Sequence, residues 1–407
     1  MKTILRFFFF LLTALPSCVS AAEVTIVVHN DDAFQRQELV EISVDSVRRE
    51  LRLRADEPFV VRNRAGQQVA YQVTYDGKLL IDAAVKPFGR TSFTIAPGRP
   101  EVFKTWVEGK KYPLRKDDIG WENDRGAYRV YGPALQQTGE KSYGIDVWTK
   151  NSKELDMSNR YYTDYEGNVT GWANARNGKK DREIDLHTSF HLDHGNGLDC
   201  YAVGPTLGCG APALMVDGQL VMPYCYKSYK ILDNGPLRFT VELVYNPSRI
   251  RQDENVVEHR LISLDKGSNF NKMTVWYDGL SRPCDLASGV VIHSADDQNV
   301  VVGKNFVQYA DPTDRPDLHG SQLYVATLYP DGAETRKLMY DKPVDGVSGH
   351  AIGVKRNLAN GERYTYFFGS AWSEYDVRTQ AEWQQRVDWF LQSRYRPLVV
   401  TMKKASR

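Results

Sequence analysis

The chain has 407 residues, with 52 Lys and Arg against 51 Asp and Glu and a net charge of +1. Charges so balanced and so well mixed exclude an electrostatic case for a nucleic-acid or anionic-membrane partner. Aromatic content is 12%, including 23 tyrosines and 8 tryptophans. That suits stacking on sugar rings, and equally an ordinary large β protein.

Lys2 and Arg6 precede an apolar run, Phe7 to Leu15, too short to span a bilayer. Val19-Ser20-Ala21 before Ala22 places small residues where a signal peptidase needs them. Residues 1–21 therefore read as a cleaved secretory signal, and the mature protein as periplasmic or secreted. A rival reading takes Leu15-Pro16-Ser17-Cys18 as a lipobox anchoring the chain through Cys18; proline there ranks it second. No other stretch is long and apolar enough to be a transmembrane segment.

Residues 22–108 carry short strand-like runs: Val24–His29, Phe59–Arg62, Gln68–Thr74 and Thr91–Ile95. Asp76-Gly, Pro87-Phe-Gly and Pro97-Gly punctuate them as turns. They predict a small N-terminal β-sandwich. Glu50–Arg54 also alternates and reads as strand.

Residues 109–407 form the second unit. Tyr128–Val130, Ile145–Trp148, Ala213–Val216, Leu237–Tyr245, Val256–Leu264, Lys272–Tyr277, Val290–His293, Leu323–Leu328, His350–Val354 and Tyr364–Ser370 are strand-like. Alternation such as Phe239-Thr-Val-Glu-Leu-Val-Tyr245 marks antiparallel strands with one face packed and one wet. The fold class is all-β: the small sandwich, then a large antiparallel β-supersandwich of two stacked sheets. A C-terminal helix closes the chain. Thr379-Gln-Ala-Glu382 is a capping box opening the stripe Trp383, Val387, Phe390, Leu391.

Four cysteines remain in the mature chain: Cys200, Cys209, Cys225 and Cys284. Export permits disulfides, with Cys200–Cys209 or Cys209–Cys225 closing a local loop; buried free thiols are the equal alternative.

Two polar blocks stand out. The first runs from His187 to Tyr201 and holds three of the chain's eight histidines, His187, His191 and His194, with Asp193 and Asp199. A strand over Glu183–His191 would put Asp185, His187, Ser189 and His191 on one face. Three readings of the block compete. In acid–base chemistry, Asp193 or Asp199 orients His194 and Tyr201 donates a proton. In metal binding, His187, His191 and Asp193 form a facial set for a divalent cation, the one cofactor suggested. In the third, the histidines cap turns and satisfy buried carbonyls.

The second block is Trp121 to Tyr131. Trp121 and Tyr128 read as a sugar platform, and Arg125 or Arg129 as a bidentate clamp for a uronate carboxylate. Glu122 and Asp124 are candidate acids, and Asn123 and Asn196 candidate substrate donors. The bland alternative is a hairpin with Trp121 in the core. His293, Trp372 and Tyr375 are further candidates for the cleft wall, with packing roles as the alternative.

Trp121-Glu-Asn-Asp-Arg-Gly-Ala-Tyr-Arg-Val-Tyr-Gly-Pro133, His194-Gly-Asn-Gly-Leu-Asp-Cys-Tyr-Ala-Val-Gly204 and Thr206-Leu-Gly208 resemble the family called domain of unknown function 4861, over nearly the whole mature chain. The resemblance implies a secreted protein of saccharide-degrading bacteria, often encoded beside unsaturated-uronide hydrolases and polysaccharide lyases. It also implies a β-supersandwich like that of galactose mutarotases and some lyases. It assigns no residue a role.

The expected partner is a carbohydrate, most plausibly uronate-containing, cleaved by β-elimination. In that scheme Arg125, Asn123 or Asn196 neutralises the carboxylate, His194 or Tyr201 takes the C5 proton, and Tyr128 protonates the leaving oxygen. Two alternatives remain. One is a glycoside hydrolase with Glu122 or Asp124 opposite Asp193 or Asp199. The other is a non-catalytic saccharide-binding protein.

Overall fold

The structure, a computed structural model, describes residues 23–175, 178–318 and 321–404. The signal and lipobox readings fall on residues outside these. Among the described residues no helix is long and apolar enough to cross a membrane.

Alternating burial builds the small sandwich. Val24–His29 hides Val24, Ile26 and Val28 while the residues between them stay partly open. It pairs antiparallel with Arg90–Pro97, which also pairs with Phe59–Arg62. Arg36–Ser43, Lys78–Val85 and Tyr71–Val73 form the facing sheet. Their shared core includes Phe59, Leu79, Ile81, Phe93 and Ile95.

Two details depart from the sequence reading. Glu50 and Leu51 belong to a helix, α1 (Val44–Leu51), not a strand. Ser43 caps it by accepting from the Ser46 N–H at 3.3 Å, and Val44, Val47 and Leu51 recur at helical spacing on the buried side. The second departure is at the far end of the chain. Val399–Lys404 pairs antiparallel with Val24–His29, so the small sandwich is completed by a strand more than 300 residues away, beyond the 22–108 segment.

The large unit stacks three sheets on one core. A meander of Glu108–Tyr112, Asp118–Glu122, Ala127–Val130 and Asp146–Trp148 comes first. A five-stranded sheet centres on Cys209–Val216, Cys284–Ile292 and Val347–Leu358. A nine-stranded sheet includes Arg238–Tyr245, Asp253–Asp265, Phe270–Asp278, Tyr364–Trp372 and Leu323–Leu328. Phe239, Ile262, Met273 and Phe368 meet Leu214, Leu286 and Val290 from the facing sheet and Trp121, Tyr128 and Val147 from the meander. The expected stack of two large sheets is present, with the meander added on its flank. Every pairing within these sheets is antiparallel, and the all-β class is as expected.

Helices decorate this frame. A short α2 (Pro133–Gln136) follows the third meander strand. α3 (Met157–Ala173) and α4 (Arg182–Thr188) are inserted between the meander and the five-stranded sheet. Gly167 and Gly171 let them touch, because a Cβ at Gly167 would collide with Thr188 and one at Gly171 would crowd Lys180. α5 (Gln380–Tyr395) is the expected C-terminal helix. Thr379 Oγ1 accepts from the Glu382 N–H at 3.2 Å, and Trp383, Val387 and Leu391 pack on Phe270, Tyr324 and Ala326.

Candidate functional site

Strand parity does not apply to the first polar block. Residues 182–188 form α4, capped by the Asp181 side chain on the Glu183 N–H at 3.1 Å. His187 ends that helix, while His191 and Asp193 lie in the loop beyond it. Asp193 Oδ1 accepts from the N–H groups of Gly195 (2.9 Å), Asn196 (3.1 Å) and Gly197 (2.9 Å), so it organises the turn. The metal set His187, His191, Asp193 is not assembled. Among the described residues no three His, Cys, Asp or Glu side chains come close enough to hold a metal ion. His194 Nε2 bonds the Ser189 carbonyl at 2.9 Å on the outside of the turn. Gly197 has φ +90°, and a Cβ there would strike the Thr149 backbone.

Most of the second block is structural. Trp121 is 0% exposed, with its Nε1–H donating to Asn271 Oδ1 at 2.7 Å. Tyr128 is equally buried and donates to the Asn269 carbonyl at 3.0 Å, accepting in turn from Ser370. Neither ring offers a face to a sugar, because β-strand alternation turns both into the core between the sheets. Asn123 ties its own turn, accepting from Arg125 and Gly126 and donating to the carbonyls of Asp265 and Ser268. Asp124 accepts from the Gly267 N–H at 2.6 Å, and Arg125 pairs with Asp376. Glu122 accepts from the Met157 N–H at 2.7 Å and pairs with buried Lys150, which makes it the anchor for the start of α3.

The remaining candidates divide likewise. Asn196 donates to Asp156. Trp372 is buried with Leu198 and Cys200, its Nε1–H on Ser321 Oγ at 2.9 Å. Tyr201 is buried and its hydroxyl has no hydrogen-bond partner among the described residues. Burial pushes that hydroxyl well above the usual tyrosine range. His293 lies 5.6 Å from the Tyr201 ring and is held between Asp311 and the Ala202 carbonyl. Cys200, Cys209, Cys225 and Cys284 are buried free thiols, so neither expected disulfide forms.

What joins the two blocks is Arg129. Its guanidinium is 2.7 Å from Asp199 Oδ2, 2.5 Å from Asp146 Oδ2 and 3.5 Å from Asp118 Oδ2. Trp148, Tyr131 and Phe190 surround it at 4.9–5.7 Å. Arg129 thus faces three buried carboxyls at once. Burial pushes Asp118 up to about 6 against the pull of Arg129 and Arg115. It pushes Asp146 up likewise, against Arg129.

Asp199 also meets His191. His191 Nδ1 is 3.1 Å from the Asp199 carbonyl and 3.7 Å from its carboxylate. An Nδ1–H donating to that carbonyl leaves Nε2 as the lone-pair nitrogen. The His191 side chain is 53% exposed, and it lines a cavity of about 560 Å³.

That cavity is the best-equipped candidate site. Tyr161, Asp164, Tyr165 and Asn168 enter it from α3, Lys180 and Asp185 from the start of the α4 hairpin, and Arg115 from the meander. Arg115 lies over the Phe190 ring at 5.5 Å, and its buried Nε has no hydrogen-bond partner among the described residues. Burial raises the Asp164 carboxyl, opposed by Arg115, the Phe190 N–H, His191 and Lys180. Lys180 pairs with Asp185 and donates to Asn168 Oδ1 at 2.7 Å. The site therefore combines ring faces, a guanidinium, an oriented imidazole and a carboxyl held towards its protonated form. Of the residues singled out from sequence, Asp185, Ser189 and His191 line it and Asp199 stands behind it. Sequence reasoning missed the α3 set, whose signal was the spacing of Tyr161, Asp164, Tyr165 and Asn168 on one helical stripe.

The model of the family described as Domain of unknown function (DUF4861) matches residues 28–400. The chain belongs to this family. A relative, the "Uncharacterized protein P7" of Formosa agariphila, is 27% identical over 339 residues, covering 80% of this chain and 78% of that protein. Among solved structures, an α-mannosidase from Enterococcus faecalis overlaps 95% of the chain at 11% identity, with TM-score 0.47. YidC from Thermotoga maritima overlaps 71% at 10% identity, with TM-score 0.33. This DUF4861 chain spans about half the length of each, 46% of the mannosidase and 57% of YidC. Both overlaps are too weak to carry an inference about function.

Proposed function

We propose that this protein is a carbohydrate-active enzyme that cleaves uronate-containing saccharides by β-elimination in the cavity between α3, α4 and the meander. The observation that supports this reading is that Arg115 lines the same cavity as His191 and Asp164. A guanidinium fork suits a planar carboxylate. Neutralising the uronate carboxylate in this way acidifies the C5 proton. His191 Nε2 takes that proton, the C4–O bond breaks as the C4=C5 bond forms, and Asp164 protonates the departing oxygen. Asp199, clamped by Arg129, orients the imidazole. Relative to the sequence expectation, the base moves from His194 to His191 and the clamp from Arg125 to Arg115.

A hydrolase is the second reading, supported by two carboxyls lining one cavity. Asp164 is held towards its acid form by burial, and Asp185 is paired with Lys180. The deciding experiment follows ultraviolet absorbance and reducing ends together on a panel of uronate polysaccharides. Rising absorbance that disappears in His191→Ala and Arg115→Ala supports elimination. New reducing ends without absorbance, abolished by Asp185→Asn, establish hydrolysis instead. Saccharide binding without turnover makes the protein a binding module.

A further inference from the structure

We propose that the open face of α3 is a stacking ladder that holds the distal sugar residues of a saccharide chain entering the cavity. The inference rests on the saccharide reading above and extends it from a single site to a run of subsites.

The helix carries an unusual exposed stripe. Tyr162, Tyr165, Val169 and Trp172 are all solvent-exposed, Trp172 at 59% and Tyr165 at 37%. A surface helix ordinarily presents charge on its open side. Here the opposite side is already committed: Met157, Arg160, Tyr161, Gly167 and Gly171 are buried. The exposed rings are therefore not a core face seeking the body of the protein.

The stripe is continuous with the cavity. Tyr165 and Asn168 line it, and Trp172 is the next position on that side of the helix, at i, i+3 and i+7. Tyr165 and Trp172 are two helical turns apart, about 10 Å along the axis, the span of a disaccharide. Tyr165, Tyr162 and Trp172 each pair an apolar face with a polar edge, which suits a ligand whose ring faces are apolar and whose rim is hydroxylated. Gly167 and Gly171 lock the back of the helix against α4, so the rings are presented on a rigid support. A second copy of the chain is the competing occupant. Four partly exposed side chains fall well short of the ~800 Å² per partner of a stable interface.

The test is calorimetric binding of oligogalacturonides and oligomannuronates, each of two and six residues, to the parent, Trp172→Ala and Trp172→Tyr proteins. The expected result is that affinity rises from two to six residues in the parent. The hexamer-to-dimer ratio then falls roughly tenfold in Trp172→Ala, the worth of one ring contact, and largely recovers in Trp172→Tyr. Thermal melts that superimpose verify that the exposed substitution leaves the fold intact. A ratio unchanged by Trp172→Ala overturns the ladder and leaves the catalytic proposal standing. A shift from dimer to monomer in Trp172→Ala overturns it in favour of a self-interface. Parent protein that binds neither probe at either length overturns the uronate reading and the ladder with it.

Discussion

His293 and His350 hold opposite ends of one segment in opposite protonation states. His293 Nδ1 faces Asp311 Oδ2 at 2.6 Å and its Nε2 faces the Ala202 carbonyl at 2.8 Å. Both nitrogens meet acceptors, so the ring is an imidazolium. His350 Nε2 accepts from the Leu207 N–H at 3.3 Å, which requires the neutral ring. The segment between them, Ala202 to Leu207, links the Asp199 loop to the five-stranded sheet.

The two histidines predict opposite limbs of a pH–stability profile. Burial alone would lower the His293 pKa, but Asp311 and the Ala202 carbonyl outweigh it and raise it above 6.5. Its contribution is full below 6.5 and fades as pH rises through the raised value. Burial, with the charge of His293, lowers His350 to about 4. As pH falls from 6.5 towards 4 the unfolded chain protonates this histidine while the folded ring stays neutral, which withdraws up to ~3 kcal/mol. Urea denaturation from pH 4 to 8 should therefore show a shallower acid limb in His350→Gln and a shallower alkaline limb in His293→Gln. Differences from the parent are the readout, because Asp118 titrates in the acid window with the opposite sign. Unaltered slopes in both variants would sink the assignment.

Arg129 should be among the costliest residues to remove. Arg129→Ala strands Asp118, Asp146 and Asp199 in the interior and is expected to lose about 3–5 kcal/mol. Asp146→Asn should recover part of that loss in the double variant, since the Asp146 carboxyl is strained by burial. Equilibrium denaturation of the four proteins forms a double-mutant cycle, and strict additivity would show that Arg129 and Asp146 are not coupled.

Trp121 separates core from platform. Trp121→Ala is expected to lower stability by about 3–5 kcal/mol through the cavity left behind and the Asn271 bond lost. Saccharide affinity of the residual folded protein should stay at the parent value. A large loss of affinity with unchanged stability would return Trp121 to the binding surface.

Four buried free thiols predict indifference to redox conditions. The melting temperature should be the same with and without reductant. Thiol titration should find Cys200, Cys209, Cys225 and Cys284 unreactive in native protein and reactive after denaturation. A melting temperature that drops on reduction would indicate a disulfide instead.

Local pattern carries local structure, and on that scale the sequence is legible. Alternation at Phe239–Tyr245 and the capping box at Thr379 specify a strand and a helix, because burial on one face has period two in a strand and 3.6 in a helix. The α4 segment defeated the same logic. Seven residues, about two turns, are too few to reveal a helical period, so the segment's parity resembles that of a strand. The family was also legible, in the two polar blocks themselves.

The amino-acid sequence by itself determined the all-β class, the antiparallel strands, the C-terminal helix and the membership of DUF4861. Tertiary structure alone decided which polar residues face one another. Arg129 and Asp199 are 70 residues apart, and only the docking of the 189–199 loop on the meander sets that pair in place of Arg125. The same closure buried Trp121 and Tyr128, and left the α3 rings and His191 open to solvent. Periodicity records which side of an element is apolar. It does not record what that side is packed against, because that contact is made by chain segments distant in sequence.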